Sequence, residues 1–441
     1  MEHRKVTFKL YPNAQQAERL TAWTRLHCEL YNAALEERID AYRKQGKSIG
    51  YYDQQNALTE IKEARPELVA LGSHALQQTL RKLDLAFQAF FRRVKAGQTP
   101  GFPRFKANKR FSGFTYPDPA GWKLLQCGTR GATLRLGSGK DAMMLRARGQ
   151  HRFGAAATPN DLTITRQNGQ WFASVTLRVS EEGCSKERKD TQHRGVDFGI
   201  TDWATFDNGQ TIDNPRWVRK ELPRLAMLQR QKDRKDKGSL RYKRLGKQIA
   251  ALHGRIKNLR REFLHQTTTA LIRSCVVLAT EELKTKNMSR SAKGTIDQPG
   301  RMVKQKAGLN REILSAGLGM AHQMLAYKAV EAGTRLHLSN TRQLKPSQRC
   351  AKCWAVVPKT LAQRMHVCPC GHTMQRDQNS ATVVLIDALA VQQIPLWDTP
   401  GTGVAARPKP LARQRAKSKS KTRETPASAT PPCRGTTPIG V

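Results

Sequence analysis

Late in the chain, Cys350-Ala-Lys-Cys353 and Cys368-Pro-Cys370 form two short knuckles with fourteen residues between them. Four thiolates delivered by two tight turns can enclose a tetrahedral Zn2+ with no open position, which makes a structural centre rather than a catalytic one. The second pair has a gap of one residue and needs the tighter turn, and Gly371 directly after it permits the backbone angles such a turn demands. After the first pair, Trp354 stands where glycine is usual. His366 and His372 are close enough in sequence to replace one cysteine, and a redox pair or a chance cluster is the non-metal alternative.

Three acids have settings suited to a second kind of chemistry. Asp197 is expected mid-strand in Gly-Val-Asp-Phe-Gly-Ile, an otherwise apolar run where a charge is costly unless it binds something. Glu281 follows Val-Val-Leu-Ala-Thr, and Asp377 opens a helical pattern just past the second knuckle, with Arg376 beside it able to hold a phosphate. Hydrolysis of a phosphodiester needs an activated water and neutralised charge on the attacking and leaving oxygens. Two Mg2+ held by a few carboxylates provide both. Taken singly, each acid has a plainer reading: a salt-bridged sheet residue, a solvated strand end shared with Glu282, and a helix cap. A strand Asp, a strand-end Glu and a helical Asp, in that order, are the layout of an RNase H-like α/β fold.

The elements that must position these residues are legible as changes of period. Residues 4–10 alternate as a strand, and from Ala14 the spacing of Leu20, Trp23, His27, Leu30 and Ala34 is helical. A second long helix carries Leu76, Leu80, Leu83, Phe87, Phe90 and Val94, with a shorter helix and a turn at Pro66 between the two. From Gly97 the rhythm breaks, and short alternating segments follow. The pair Asn168-Gly169 suits a type I′ hairpin. This region is expected to be a small β-barrel or sheet that the first strand joins, making the helical module an insertion.

Beyond a linker, Ser-Lys-Glu-Arg-Lys-Asp-Thr-Gln, Arg194 begins a strand–turn–strand series with a second turn at Asn208-Gly209. Residues 221–273 are expected to be mostly helical with a break near Lys235–Ser239, either an antiparallel pair or one kinked helix. A buried strand is expected over 275–283, a mobile basic loop over 287–309, one helix from Ile313 to Gly333, a strand near Leu336, and a final helix from Ser380.

Charge narrows the partners. The chain has 77 Lys+Arg against 35 Asp+Glu, a formal +42. The Pro-, Ser- and Lys-rich end, 404–441, holds nine Lys+Arg and one Glu, so about +34 stays on the body. Such a surface repels itself unless a polyanion neutralises it, and nucleic acid is the commonest. No apolar run approaches the ~20 residues that span a bilayer, and the N-terminus lacks the apolar core of a signal peptide. A cytoplasmic protein with reduced thiols and no membrane partner is therefore expected. Cys28, Cys127, Cys184, Cys275 and Cys433 then read as small apolar fillers or inert thiols.

Arg-Gly-Val-Asp-Phe-Gly-Ile-Thr-Asp, Thr-Glu-Glu-Leu-Lys and the knuckles running into Gln-Arg-Asp-Gln-Asn-Ser-Ala resemble the TnpB (OrfB) proteins of insertion sequences, which are similar to type V CRISPR effector nucleases. Tyr-Tyr-Asp-Gln-Gln-Asn-Ala-Leu and Gly-Phe-Pro-Arg-Phe-Lys extend the likeness through the N-terminal half, to about residues 1–390 in all. The resemblance implies a wedge β-barrel (1–11 and 97–190) carrying a helical recognition module (12–96). It implies a RuvC-like nuclease domain (191–345 and 376–394) interrupted by a four-cysteine zinc ribbon (346–375), with a basic tail (395–441). Asp197, Glu281 and Asp377 then match the Mg2+-binding catalytic acids, and Cys350, Cys353, Cys368 and Cys370 the Zn2+ ligands. The implied activity is RNA-guided DNA cleavage, with a guide RNA from the element's own end and double-stranded target DNA bearing a short flanking motif. The basic loop 287–309 would be a lid. The rivals are a strand-transferring transposase, disfavoured by the lack of a recognisable helix-turn-helix end-binding domain, and a guided binder that regulates without cutting.

Overall fold

Strand β1 (Glu2–Leu10) stops at Tyr11-Pro12, and Asn13 caps the 32-residue helix α1 (Ala14–Gln45) through a reciprocal capping box with Gln16. Two short helices, α2 (Tyr51–Asn56) and α3 (Leu58–Ala64), and a 3-10 turn begun by Pro66 lead to α4 (Ser73–Lys95). The computed structural model describes residues 2–125, 131–137, 142–149, 157–180, 192–295, 297–360 and 362–393. The tail from 395, nearly all of the expected linker, and Cys127, Cys184 and Cys433 lie outside the described residues.

Six further strands follow α4: β2 (Gly113–Tyr116), β3 (Trp122–Leu125), β4 (Ala132–Leu136), β5 (Met143–Arg148), β6 (Ala157–Gln167) and β7 (Gln170–Val179). With β1 they make an antiparallel sheet ordered β2-β6-β7-β1-β5-β4-β3. The edge strands β2 and β3 are consecutive in the chain. Laid flat, seven strands put their edges about 29 Å apart at ~4.8 Å per strand, whereas the six steps from Tyr116 to Trp122 reach about 21 Å at most. The sheet must therefore curl, and it forms a nearly closed barrel. Asn168 and Gly169, at φ 49° and 78°, make the expected β6–β7 hairpin turn. The strands β2 and β3 were not legible in the Gly- and Pro-rich stretch that holds them. One hydrophobic core joins Phe8, Trp122 and Leu134 of the sheet to Leu20, Trp23, Leu76 and Leu80 of the helices, so the helical insertion is packed onto the barrel rather than tethered to it.

The second half is built on a five-stranded sheet. Its strands are β8 (His193–Asp197), β9 (Asp202–Phe206), β10 (Thr211–Asp213), β11 (Val277–Glu281) and β12 (Arg335–Ser339), in the order β10-β9-β8-β11-β12. The β8–β9–β10 pairings are antiparallel, and β8, β11 and β12 run parallel. Helices α5 (Trp217–Asp233) and α6 (Leu240–Arg273) are separate, broken at Lys235–Ser239. Leu252 and Ile256 of α6 pack on Leu228 of α5, while Leu264, Leu271 and Ile272 of the same helix turn to the sheet.

Between α7 (Thr285–Met288) and α8 (Val303–Ala316), the basic segment is shorter than expected, because residues 303–309 are already helical. It is also tied down: Asn310 donates to the carbonyls of Ser289 and Arg290, and Lys306 to that of Met288. The single helix expected from Ile313 to Gly333 is in fact the end of α8 and a separate α9 (Leu318–Ala332). Gly317 at φ 70° breaks the run, a left-handed kink that an apolar periodicity does not reveal. After α10 (Thr341–Leu344), the knuckle region contributes a two-stranded ribbon, β13 (Met365–Val367) with β14 (Thr373–Gln375), and α11 (Arg376–Val391) ends the described chain. No described helix is long and apolar enough to cross a membrane.

Successive residues of β11 face opposite ways. Leu278 joins the core under α6 and α9, whereas Val277 and Ala279 join the core under α11. On that second face, Gly195 of β8 lets α11 approach closely: a Cβ there would lie 2.0 Å from the carbonyl oxygen of Ala381. The obstacle is backbone and cannot swing aside. Gly195→Ala is expected to cost about 3 kcal/mol, read as a fall in the denaturation midpoint; an unchanged midpoint would mean that α11 is free to shift.

Candidate metal and active centre

In the parallel ladder, Ala279 sits opposite Gly195 and Thr280 opposite Val196, so the next step places Glu281 beside Asp197 at the ends of neighbouring strands. By the alternation of side chains both point to the α11 face. Asp197 is therefore the last residue of β8 and not mid-strand as expected, since the chain leaves the ladder at Phe198 and Gly199. Asp377 reaches the same place from the first turn of α11. Its alternative role as a cap is taken by Gln375, whose side chain accepts the Gln378 N–H at 2.7 Å. Glu282 is exposed and at 3.8 Å from Lys284 Nζ, so the acid turned inward is Glu281.

The three carboxyls feel one another. Burial, then the charges of Glu281 and Asp377, push the Asp197 carboxyl well above its usual range, against a smaller pull from Arg376. Burial raises Glu281 as well, opposed by a hydrogen bond from Ser380 Oγ at 3.4 Å. Like charges held together in a partly desolvated place are relieved by protonation or by a bound cation. The three acids do not collapse into one tight cage: among the described residues, the four knuckle cysteines alone bring three or more candidate ligand atoms within 4.8 Å of one another.

Sequence reasoning missed the polar residues that hold this arrangement. Gln378 Nε2 donates to the Asp207 carbonyl at 3.2 Å, and the Asp207 carboxylate accepts from Gly195 N at 2.9 Å. Asn379, fully buried, accepts from Ala351 N at 3.1 Å and donates to the Arg349 carbonyl at 2.7 Å, which ties α11 to the first knuckle. The one signal for these was their succession, five polar residues (376–380) at the head of an apolar helix. Arg376 Nη1 donates to the carbonyls of Thr360 and Gln363, so its guanidinium is at least partly engaged within the ribbon.

At the knuckles, Cys350 Sγ lies 3.7 Å from Cys370 Sγ and Cys353 Sγ lies 3.5 Å from Cys368 Sγ. Sulfurs around a tetrahedral Zn2+ at ~2.3 Å stand about 3.8 Å apart, so the four fit that ion. Neither His366 nor His372 belongs to the cluster, and His366 faces Lys359 instead. Gly371 has φ 81° and Trp354 has φ 64°, so both knuckles close on a left-handed residue even though one is tryptophan. Arg349 holds that strained residue, stacking on its ring at 5.4 Å and donating to its carbonyl at 2.7 Å.

An OrfB family model described as "Probable transposase" matches residues 174–292, and a "Cas12f1-like, TNB domain" model matches 319–384, the stretch that contains the knuckles. Over 388 residues the chain is 32% identical to "Putative RNA-guided DNA endonuclease InsQ" of Escherichia coli K12, covering 87% of this chain and 92% of that one. The chain belongs to the TnpB (OrfB) family. A "Putative RNA-guided DNA endonuclease" of Streptomyces pristinaespiralis is 30% identical over 399 residues, covering 88% of this chain and 90% of the relative. A cryo-EM structure of a Cas12f1-sgRNA-target DNA complex shares the fold at a TM-score of 0.53 and 11% identity, over 85% of this chain and 83% of that one. A model described as "Helix-turn-helix domain" matches 1–47 in this TnpB-family chain, where the structure has one strand and one long helix.

Two outcomes are expected. Metal analysis should find one equivalent of Zn2+, and Cys350→Ser should abolish it together with hydrogen-exchange protection of β13 and β14; zinc-free protein with that protection intact would contradict the site. For the acids, the sign follows from Asp197 binding its proton more tightly folded than unfolded. Its penalty is absent below the ordinary Asp pKa of about 3.9 and grows as pH rises through the folded value. In Mg2+-free buffer, Asp197→Asn should therefore be more stable than the parent at pH 8, with the gap closing towards pH 4 in denaturation curves.

Proposed function

We propose that this chain is an RNA-guided DNA endonuclease encoded by an insertion sequence. The observation that carries the reading is the convergence of Asp197, Glu281 and Asp377 at the C-terminal ends of the neighbouring inner strands β8 and β11. The strand order β10-β9-β8-β11-β12, antiparallel then parallel, supports an RNase H-like, RuvC-type domain made of 191–345 and 376–394, with the zinc ribbon 346–375 inserted. The barrel (1–11, 97–190) and helical module (12–96) would hold the RNA–DNA hybrid and the motif flanking the target.

Asp197, Glu281 and Asp377 would hold Mg2+, which when bound supplies water activation and neutralises charge at the scissile phosphate. The chain's own part is positional. Ser380 orients Glu281, the Asp207–Gln378 link holds β8 against α11, and Arg376 beside Asp377 adds positive charge at a helix N-terminus, where phosphate is favoured. The body's positive charge grips backbone phosphates regardless of sequence, leaving sequence choice to base pairing, as in other RNA-guided effectors.

The test is to express the chain together with the DNA downstream of its gene and sequence the RNA that co-purifies. One defined RNA ending in a variable guide is expected, with Mg2+-dependent cleavage of matching duplex that falls on the order of 10³-fold or more in Asp197→Ala. Heterogeneous RNA would sink the guided reading. Guided binding without cleavage would favour a regulator, and joined DNA ends a strand-transfer transposase.

A further inference from the structure

Between Leu85 and Pro117 the chain has seven phenylalanines, seven Lys+Arg and no Asp or Glu. Two of the rings, Phe111 and Phe114, are core. Phe87 and Phe90 are half-buried, Phe87 against the core, whereas Phe91, Phe102 and Phe105 are 56%, 48% and 56% exposed. The loop after α4 folds back on that helix, so that Phe102 meets Phe87 and Phe90 edge-on at 5.6 and 5.3 Å, while Phe91 lies 5.2 Å from Phe90. Its far end is fastened: Lys106 N donates to Asn32 Oδ1 and Asn32 Nδ2 to the Lys106 carbonyl, both at 2.9 Å, and Lys106 Nζ sits 4.0 Å over the Tyr31 ring. Phe87, Phe90, Phe91 and Phe102 thus form a preset aromatic cluster, with exposed Phe105 further along the same loop and the exposed Arg92, Arg93 and Arg104 adjacent to these rings in sequence.

We propose that this cluster is a stacking platform for unpaired bases of a nucleic-acid strand, with the neighbouring cations on its phosphates. Open aromatic faces interleaved with cations are what sequence-independent binding of single strands requires, because every base has a π-face. A second copy of the chain fits less well, since a two-fold contact would bring the same acid-free patch against itself. Paired bases inside a duplex are already stacked, so the occupant is a strand that is open at this point.

The inference rests on the nucleic-acid reading above, and its test needs no guide, metal or cleavage. Full-length protein stripped of nucleic acid is titrated, by fluorescence anisotropy, with an oligothymidylate of about twelve nucleotides and with an abasic strand of equal phosphate count. The parent should prefer the base-bearing strand by roughly tenfold or more. The combined Phe91→Leu, Phe102→Leu and Phe105→Leu variant keeps apolar bulk without rings; it should lose most of that preference while binding the abasic strand unchanged. Phe102→Trp should retain the preference. Equal parent affinity for both strands, or an equal loss on both in the variant, overturns the proposal. So does a parent dimer that the leucine variant converts to monomer with base preference intact, which would assign the cluster to a second copy.

Discussion

Burial of α11 against the sheet is the constraint on which the candidate centre depends. Val383, Val384, Leu385, Ile386 and Leu389 are all essentially inaccessible, and each such side chain stabilises by about 1.5–3 kcal/mol relative to exposure. That packing fixes the rotation of the helix about its axis. Its first turn then has no freedom left: Asp377 must face the strand ends, Gln378 the β9–β10 turn, Asn379 the first knuckle and Ser380 the Glu281 carboxylate. Adjacent helical residues diverge by about 100°, so a rotation of one position would break all four relations together.

Two opposing tendencies are balanced by this anchoring. Gathering three carboxyls at the ends of two inner strands is unfavourable in the protein alone, as the raised Asp197 and Glu281 indicate. The cost is sustained by apolar packing on both faces of the sheet and by the knuckles, which reach α11 through Asn379. The ribbon has few apolar residues of its own, so Zn2+ bound by the four cysteines would give that attachment its stiffness. The thiols and the acids, separate in chemistry, are mechanically one unit.

Features that were legible in the sequence share a local origin. The knuckles are defined by spacing, the β6–β7 turn by Asn168-Gly169, and the acids by their position in or next to apolar runs. Features that escaped are set by tertiary contact. Asp197 ends its strand because the chain turns at Gly199, and the α8–α9 kink needs Gly317 in a left-handed state that a glycine merely permits. Trp354 adopts a glycine-like angle because Arg349, five residues earlier, grips its ring and carbonyl. The strands β2 and β3 are four residues each and gain their partners only when the barrel curls.

The pairing of β1 with β7 has a consequence for the order of events on the ribosome. Residues 2–10 are the first made, yet their long ladder partner is 171–179. At roughly 5–20 residues per second, the opening strand waits on the order of ten to thirty seconds for it. During that interval α1 and α4 can pair, but Phe8 and Leu10 lack the barrel that later buries them. The nascent chain therefore carries an unpaired strand edge through more than a third of its synthesis, and its cations Arg4, Lys5 and Lys9 disfavour pairing of that edge with its neighbours on the same message.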